Sequence, residues 1–271
     1  MKRIHGFEFL DAPWYPQSFR CIQTDYLQFT QYVATLLMGI DALIPIFRKA
    51  FHHTETREIV DLCSGGTGSW IRLKGQFRQA GLDLTVTLTD KYPNPKALDQ
   101  WPPEMRNGIT YRKEPVDAAN VPAELKGMRT LFAGFHHFPP DQAGNILRDA
   151  YEKRVPIGIF DPPSLRTPAG MLLLLLLLPV TPLLVFFSYW LMTPFIRPRT
   201  IQRFLWTYLL PIVPAVTVWD GVVSFLRPYT IRELKQLTDT LQSAEYVWES
   251  GTVMLGIPLT YLLGFPVRRT E

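Results

Sequence analysis

Two adjacent histidines, His136 and His137, sit in the segment Phe132-Ala-Gly-Phe-His-His-Phe-Pro-Pro140. Imidazole titrates near neutrality, so the pair suits removal of a proton from an oxygen or nitrogen nucleophile. The alternative is that one ring only packs or hydrogen-bonds its own loop. The pair lacks a sequence-near set of carboxylate ligands, and no metal is expected there. A second constellation lies upstream, in Glu58-Ile-Val-Asp-Leu-Cys-Ser-Gly-Gly-Thr-Gly-Ser69. Ile59, Val60 and Leu62 suit a buried strand ending near Asp61. Ser64, Gly65, Gly66 and Gly68 suit a turn whose bare backbone can touch a ligand. A helix starting near Ser69 would aim its free N–H groups and positive dipole end at that ligand. Leu84-Thr-Val-Thr-Leu-Thr-Asp90 alternates and is β-branched, so it reads as a strand tipped by an acid. Asp90 lies about 20 residues beyond the glycines, where an acid accepts hydrogen bonds from ribose hydroxyls. A purely structural turn is the alternative. The glycines are not spaced G-x-G-x-x-G and no suitable Tyr-x-x-x-Lys pair is present, which speaks against a nicotinamide-dependent oxidoreductase.

The elements that must position these residues alternate. Strands are expected at 58–63, 84–90, 108–112, 129–135 and 155–160, with helices near 69–80, 95–100, 122–126 and 140–152. That spacing calls for a parallel sheet with helices on both faces. Thr230 followed by Glu233 starts an amphipathic helix with a capping box, and two strands around Gly251–Pro258 close the chain. A helix is expected from Ile22 to Gly39. At 271 residues with net charge +4, the chain accommodates one α/β domain with additions. No lysine-rich tract is present, so nucleic acid is not an expected partner. Only Cys21 and Cys63 are present, which suggests a reducing compartment and neither a disulfide framework nor a cysteine-rich metal site. Met1-Lys-Arg-Ile-His-Gly-Phe-Glu8 has no apolar core after its charges and does not read as a signal peptide.

With Asp61, the small-residue loop and Asp90 in this order, the pattern resembles the class I S-adenosylmethionine-dependent methyltransferases. The departures are Cys63 and Thr67, where that family most often has glycine. The resemblance covers about residues 55–160 and 220–268. It implies an α/β, Rossmann-like seven-stranded sheet with helices on both faces and an antiparallel last strand. It implies S-adenosylmethionine as cofactor, held by Asp61, Ser64, Gly65, Gly66, Gly68 and Asp90, with Tyr92 near the adenine or ribose. Asp117 stands where the family has an acid for the adenine amino group, and it equally suits the N-cap of a helix before Val121. His136 and His137 fall where the methyl group is transferred. Arg227 and Tyr229 resemble the segment bordering the acceptor pocket. Asp161-Pro-Pro-Ser164 differs from the Asp-Pro-Pro-aromatic motif of base-modifying enzymes in place and in its last residue. It reads instead as a turn out of the fifth strand.

One stretch does not fit this pattern. Ala169–Met192 carries no charge and includes the run Leu172–Leu178. As one helix it would be ~36 Å long at 1.5 Å per residue, enough for a bilayer core of ~30 Å. A second apolar segment, Phe204 to Trp219, is broken by Pro211 and Pro214. The organisation expected is an N-terminal helical extension (1–57), a cofactor-binding core (58–168), a hydrophobic membrane-associating helical hairpin (169–219) and a completion of the core (220–271). Because strands on both sides of the insertion join one sheet, its ends lie on the same side of a bilayer. A full hairpin would carry Arg197, Arg199 and Arg203 across, against the tendency of such residues to stay cytoplasmic. A monotopic hairpin dipping into one leaflet is therefore expected, with those arginines and Trp190, Trp206 and Trp219 at headgroup level.

Together these readings point to a methyltransferase acting at a membrane on an apolar or lipid-like acceptor, with its catalytic part on the cytoplasmic face. The atom methylated and the oligomeric state stay open. The alternative is a non-catalytic, membrane-associated adaptor that keeps the fold and binds the cofactor.

Overall fold

The computed structural model describes residues 3–36, 39–52, 54, 57–67 and 69–267. The chain divides into two compact units, Tyr32–Pro163 with Tyr229–Glu271, and Met1–Gln31 with Ser164–Pro228.

The first unit is built on a seven-stranded sheet: β1 (Glu58–Asp61), β2 (Thr85–Leu88), β3 (Ile109–Tyr111), β4 (Met128–Phe132), β5 (Ile157–Asp161), β6 (Tyr246–Met254) and β7 (Pro258–Pro266). The strand order is β3-β2-β1-β4-β5-β7-β6. The first five strands are parallel, and β7 runs antiparallel to both β5 and β6. This is the sheet implied by the resemblance. Because helices cover both faces, β5 is buried at every residue and reads as a continuous apolar run ending in an acid. Along β1, Ile59 faces one core and Val60 the other.

The helices, in chain order through both units, are α1 (Gln17–Thr35), α2 (Ile44–His52), α3 (Trp70–Gln79), α4 (Pro103–Arg106), α5 (Pro140–Glu152), α6 (Pro168–Leu177), α7 (Thr181–Met192), α8 (Ile201–Phe204), α9 (Ile212–Ser224) and α10 (Ile231–Thr238). One face of the sheet packs against Phe47 and Phe51 of α2 and Trp70 and Phe77 of α3. The other packs against Ala143, Ile146, Leu147 and Ala150 of α5 and Leu234 of α10. Leu43, Phe47 and Ala50 are fully buried, so the covering layer begins before residue 58, within the stretch expected to be an extension. The capping box at Thr230 forms as expected: its hydroxyl accepts from Glu233 N at 3.2 Å, while Glu233 accepts from Thr230 N at 2.8 Å.

Some local expectations need correcting. Residues 122–126 make no helix. Val121 N is held by Asp149, and Leu125 N turns back onto Pro122 O. Gly127 then approaches Glu58 so closely, at φ +124°, that a Cβ there would lie 2.5 Å from the Glu58 carbonyl oxygen. The chain has room for a turn only. Pro95–Gln100 is 3-10 rather than α-helical, and β4 ends at Phe132.

The second unit is helical. Its apolar centre is Ile22, Tyr26, Tyr189, Ile196 and Val213. The uncharged stretch is not one long helix: Pro168–Leu177 and Thr181–Phe195 meet at a bend of 54°, and Ile201–Leu209 and Ile212–Ser224 at 73°. No single helix among the described residues is long and apolar enough to cross a membrane. Pro179 and Pro182 explain the first break, because each lacks the N–H that a continuing helix requires and its ring crowds the preceding turn. Pro211 lies in the second break, just before α9, and Pro214 in the first turn of that helix. Thr167 caps α6, its hydroxyl accepting from Gly170 N at 3.0 Å. Leu205–Leu209 widens into a π-helical turn after α8.

Candidate functional site

The turn after β1 is organised around a buried carboxylate. Asp61 Oδ1 accepts from Thr130 Oγ1 at 2.6 Å and Trp70 Nε1 at 2.9 Å, and Oδ2 accepts from Ser64 Oγ at 2.6 Å. Burial pushes the Asp61 carboxyl up to about 6, against the lowering by hydrogen bonds from Ser64, Thr130 and Trp70, with the charge of Asp90 adding to the rise. Both oxygens therefore have protein donors, and the side chain holds the turn in shape. Ser64 is likewise engaged: besides Asp61, its hydroxyl accepts from Thr89 N at 3.3 Å, and its own N–H donates to Thr89 O at 3.0 Å. Cys63 has φ 57°, in the left-handed region that favours glycine. This gives a physical reason for the glycine usual there in the family it resembles. Gly65 follows with φ 58°. Gly66 continues the turn, and Gly68 lies outside the described residues.

Asp90, just past β2, reaches across to this turn. Its Oδ2 accepts from Gly65 N at 2.7 Å and its Oδ1 from Tyr92 N at 2.8 Å. Tyr111, the last residue of β3, donates its hydroxyl to Gly65 O at 2.8 Å. The backbone of Gly65 is thus held on both sides, by an acid from β2 and a phenol from β3. Asp117 is exposed and caps a turn instead of a helix: Oδ1 accepts from Ala119 N at 2.9 Å, and Lys91 Nζ lies 3.7 Å from Oδ2. The N-cap reading of Asp117 fails, because no helix follows.

His136 and His137 lie in a 3-10 turn, Phe135–His137, directly after β4. His136 is buried, His137 partly so, and their ring centroids are 4.5 Å apart. Asp161, the last residue of β5, is also buried and places Oδ1 3.2 Å from His136 Nδ1. An ionised Asp161 can only accept, so with the neutral ring this contact corresponds to the tautomer that carries its proton on Nδ1. The other oxygen, Oδ2, is buried without a hydrogen-bond partner among the described residues. Asp161, expected to be only the start of a turn, is therefore brought to the site by β5.

The two residues expected to touch an acceptor both have partners within the protein. Arg227 is buried in the helical unit, where its guanidinium lies 2.9 Å from Glu8 and 2.6 Å from Asp11 and also binds Gly6 O. A charge taken out of water needs such partners, and they leave it tying the N-terminal segment down. Tyr229 is buried against Phe135 and donates its hydroxyl to Phe138 O at 2.8 Å. It thereby braces the histidine turn. Sequence reasoning missed Trp70, Thr130 and Tyr111 as well as Asp161. For Tyr111 and Asp161 the available signal was a polar or aromatic residue at the carboxyl end of a strand, and for Trp70 its place at the first helical position after the glycine turn; Thr130, in the middle of β4, offered none.

The glycine turn, Asp90 and the His136–Asp161 pair all fall at the carboxyl ends of adjacent parallel strands, around the point between β1 and β4 where the strand order reverses. In open α/β sheets ligands bind there. Strand order and the antiparallel β7 define a Rossmann-like α/β fold of the methyltransferase type. Among solved structures the chain is similar to TnmH, with 15% identity over 81% of this chain and 53% of that one, at a TM-score of 0.45. It is similar to human N-acetylserotonin methyltransferase in complex with SAM, with 12% identity over 80% and 50% of the two chains, at 0.43. It is also similar to magnesium protoporphyrin IX methyltransferase from Synechocystis PCC 6803 with bound SAH, with 10% identity over 87% and 85%, at 0.45. The chain spans about half the length of the first two. No protein-family model matches the chain, and no curated protein sequence does.

Proposed function

We propose that the chain is an S-adenosylmethionine-dependent methyltransferase that works at a membrane on an apolar or lipid-like acceptor. The observation that carries the reading is the meeting of Asp90 with the Gly65 backbone at the strand-order reversal, beside a buried His136–Asp161 pair. The turn suits the cofactor: a left-handed Gly65 leaves the backbone bare, and Asp90 offers a carboxylate at ribose-binding position. Gly65, Gly66, Asp90, Tyr92 and Asp117 would hold it, with Asp61 and Ser64 keeping the turn in shape. When bound, it supplies an electrophilic methyl group on a sulfonium.

The protein's own contribution is position and a base. Asp161 orients His136 so that Nε2 takes the proton of an O–H or N–H nucleophile, and Asp161 stabilises the imidazolium that results. His137, next to it, would contact the acceptor. Bringing nucleophile and methyl into line in a site closed to water accounts for the rest.

Membrane contact is supported by the helical unit's surface. Leu172, Leu173, Leu175–Leu178, Leu183, Leu184, Phe187, Leu191 and Leu209 are exposed, Leu191 and Leu209 at 72%. Contiguous apolar surface on that scale marks an interaction site, and helices bent at proline suit an element that dips into one leaflet rather than spanning it. The reading includes a cytoplasmic face for the catalytic part, in keeping with the arginines beside the apolar segments.

The test is transfer of labelled methyl from the cofactor by membrane-bound full-length protein to a total lipid extract, with the labelled product identified. Label in an apolar product supports the reading. S-adenosylhomocysteine binding without any transfer would point to the non-catalytic adaptor, and thermal stabilisation by NAD but not by S-adenosylhomocysteine would overturn both. Release of the protein from membranes by carbonate would overturn firm embedding, and protease protection of the 197–203 loop would favour full spanning.

A further inference from the structure

The helical unit contains four carboxylates, Glu8, Asp11, Asp25 and Asp220. Each is engaged internally. Glu8 and Asp11 pair with Arg227, and Asp25 pairs with Arg203, both members of that second pair being buried. Asp220 accepts from Phe9 N at 2.8 Å, Leu10 N at 3.1 Å and Gln23 Nε2 at 2.8 Å. Several arginines are held inside as well: Arg20 donates to Leu10 O and Ala12 O, and Arg166 to Ser164 Oγ and Pro228 O.

Between Asp161 and Asp220 the sequence contains no acidic residue. Within that interval Arg197 and Arg199 are both exposed, and Arg199 Nε donates to Pro194 O at 2.8 Å. They stand between Phe195, 65% exposed, and Ile201, 87% exposed. Two guanidinium groups flanked by bare apolar side chains, with no carboxylate nearby in sequence, form a poor surface for water. They form a good one for an interface that is apolar inside and negatively charged at its rim.

We propose that the Thr193–Phe204 segment recognises a bilayer carrying anionic phospholipid. Arg197 and Arg199 meet phosphate headgroups, and Phe195 and Ile201 enter the acyl boundary beside them. This rests on the membrane reading above and adds the lipid class. Guanidinium is well matched to phosphate because its planar N–H groups present several donors at once. Arg203, four residues beyond Arg199, takes no part, since Asp25 holds it inside the unit.

The test is flotation of the full-length protein with vesicles of phosphatidylcholine alone and of phosphatidylcholine doped with phosphatidylglycerol. Tighter binding to the doped vesicles is expected, weakened by salt. Arg197→Gln and Arg199→Gln should each weaken it about fivefold, roughly 1 kcal/mol per residue, and the pair together about 30-fold. Binding to phosphatidylcholine alone should be unchanged by either variant. Arg197→Lys with Arg199→Lys should retain most of the preference, and unchanged thermal unfolding checks that the variants fold. Equal binding to both vesicle types would overturn the lipid class while leaving membrane contact standing. Binding to neither, with a self-association that detergent reverses, would assign the apolar surface to a second copy of the chain and overturn both.

Discussion

Replacing Asp61 by asparagine separates the charge of this side chain from its hydrogen bonds. The carboxyl is buried and its pKa rises from 3.8 to about 6. The folded chain thus holds that proton more tightly than the unfolded chain does, so protonation favours folding. The contribution is fully present below about pH 3.8 and is lost as pH rises through about 6. A shift of this size corresponds to about 3 kcal/mol. Over the practical range from about pH 4.5 to about 7.5 it amounts to about 2 kcal/mol. Other carboxylates titrate over the same range, so the quantity to follow is the difference between wild type and Asp61→Asn in urea unfolding. The amide keeps one acceptor for Thr130 and Trp70 and turns its NH2 toward Ser64, whose hydroxyl can reverse and accept. Wild type should therefore lose about 2 kcal/mol relative to the variant as pH rises over that range. Asp61→Leu should instead be several kcal/mol less stable at every pH, because three buried donors lose their acceptor. A wild-type-minus-asparagine difference that stays flat with pH would refute the reasoning, since it would mean that the three hydrogen bonds fully offset burial of the charge.

Four further outcomes are expected. Asp161→Asn should reduce methyl transfer by about 10²-fold or more while leaving the calorimetric affinity for S-adenosylhomocysteine within about twofold; equal loss of both would make Asp161 merely structural. Asp90→Ala should weaken that affinity about 30- to 150-fold, the worth of charge-assisted hydrogen bonds at ~2–3 kcal/mol, and undiminished affinity would remove Asp90 from the cofactor site. Cys63→Gly should be more stable than Cys63→Ala by about 1 kcal/mol in urea unfolding, because only glycine adopts φ 57° without strain. Arg227→Met should cost ~3–5 kcal/mol by leaving Glu8 buried without its cation, with cofactor affinity unchanged; a raised acceptor KM at full stability would restore the acceptor-contact role instead.

Much of this molecule is legible locally. Strand and helix types follow from alternation and from short-range chemistry, as at Thr230–Glu233, where both partners of the capping box lie within one turn. The glycine turn was legible for the same reason, since its backbone requirement shows in Gly65 and Gly66 themselves. The bends in the apolar segments were foreshadowed by Pro179, Pro182, Pro211 and Pro214. Helix α2 was not expected although Gly39 and Asp41 precede it and Pro45 stands in its first turn; its apolar stripe shows only that a helix is amphipathic, and the sheet face that buries Phe47 and Phe51 comes from strands later in the chain.

By itself the sequence determined which residue types stand at the strand ends: an acid and glycines after β1, an acid after β2, two histidines after β4 and an acid after β5. Only the tertiary structure decided which of them meet. His136 and Asp161 are 25 residues apart, and Asp61 and Thr130 are 69 apart. They become neighbours because β4 lies between β1 and β5 in the sheet. Arg227 and Glu8 come together from nearly opposite ends of the chain, an ion pair that neither residue announces locally. Hydrogen bonds and ion pairs act over a few ångströms, whereas sequence spacing specifies distance only along a strand or helix. Strand order and packing therefore choose the partners.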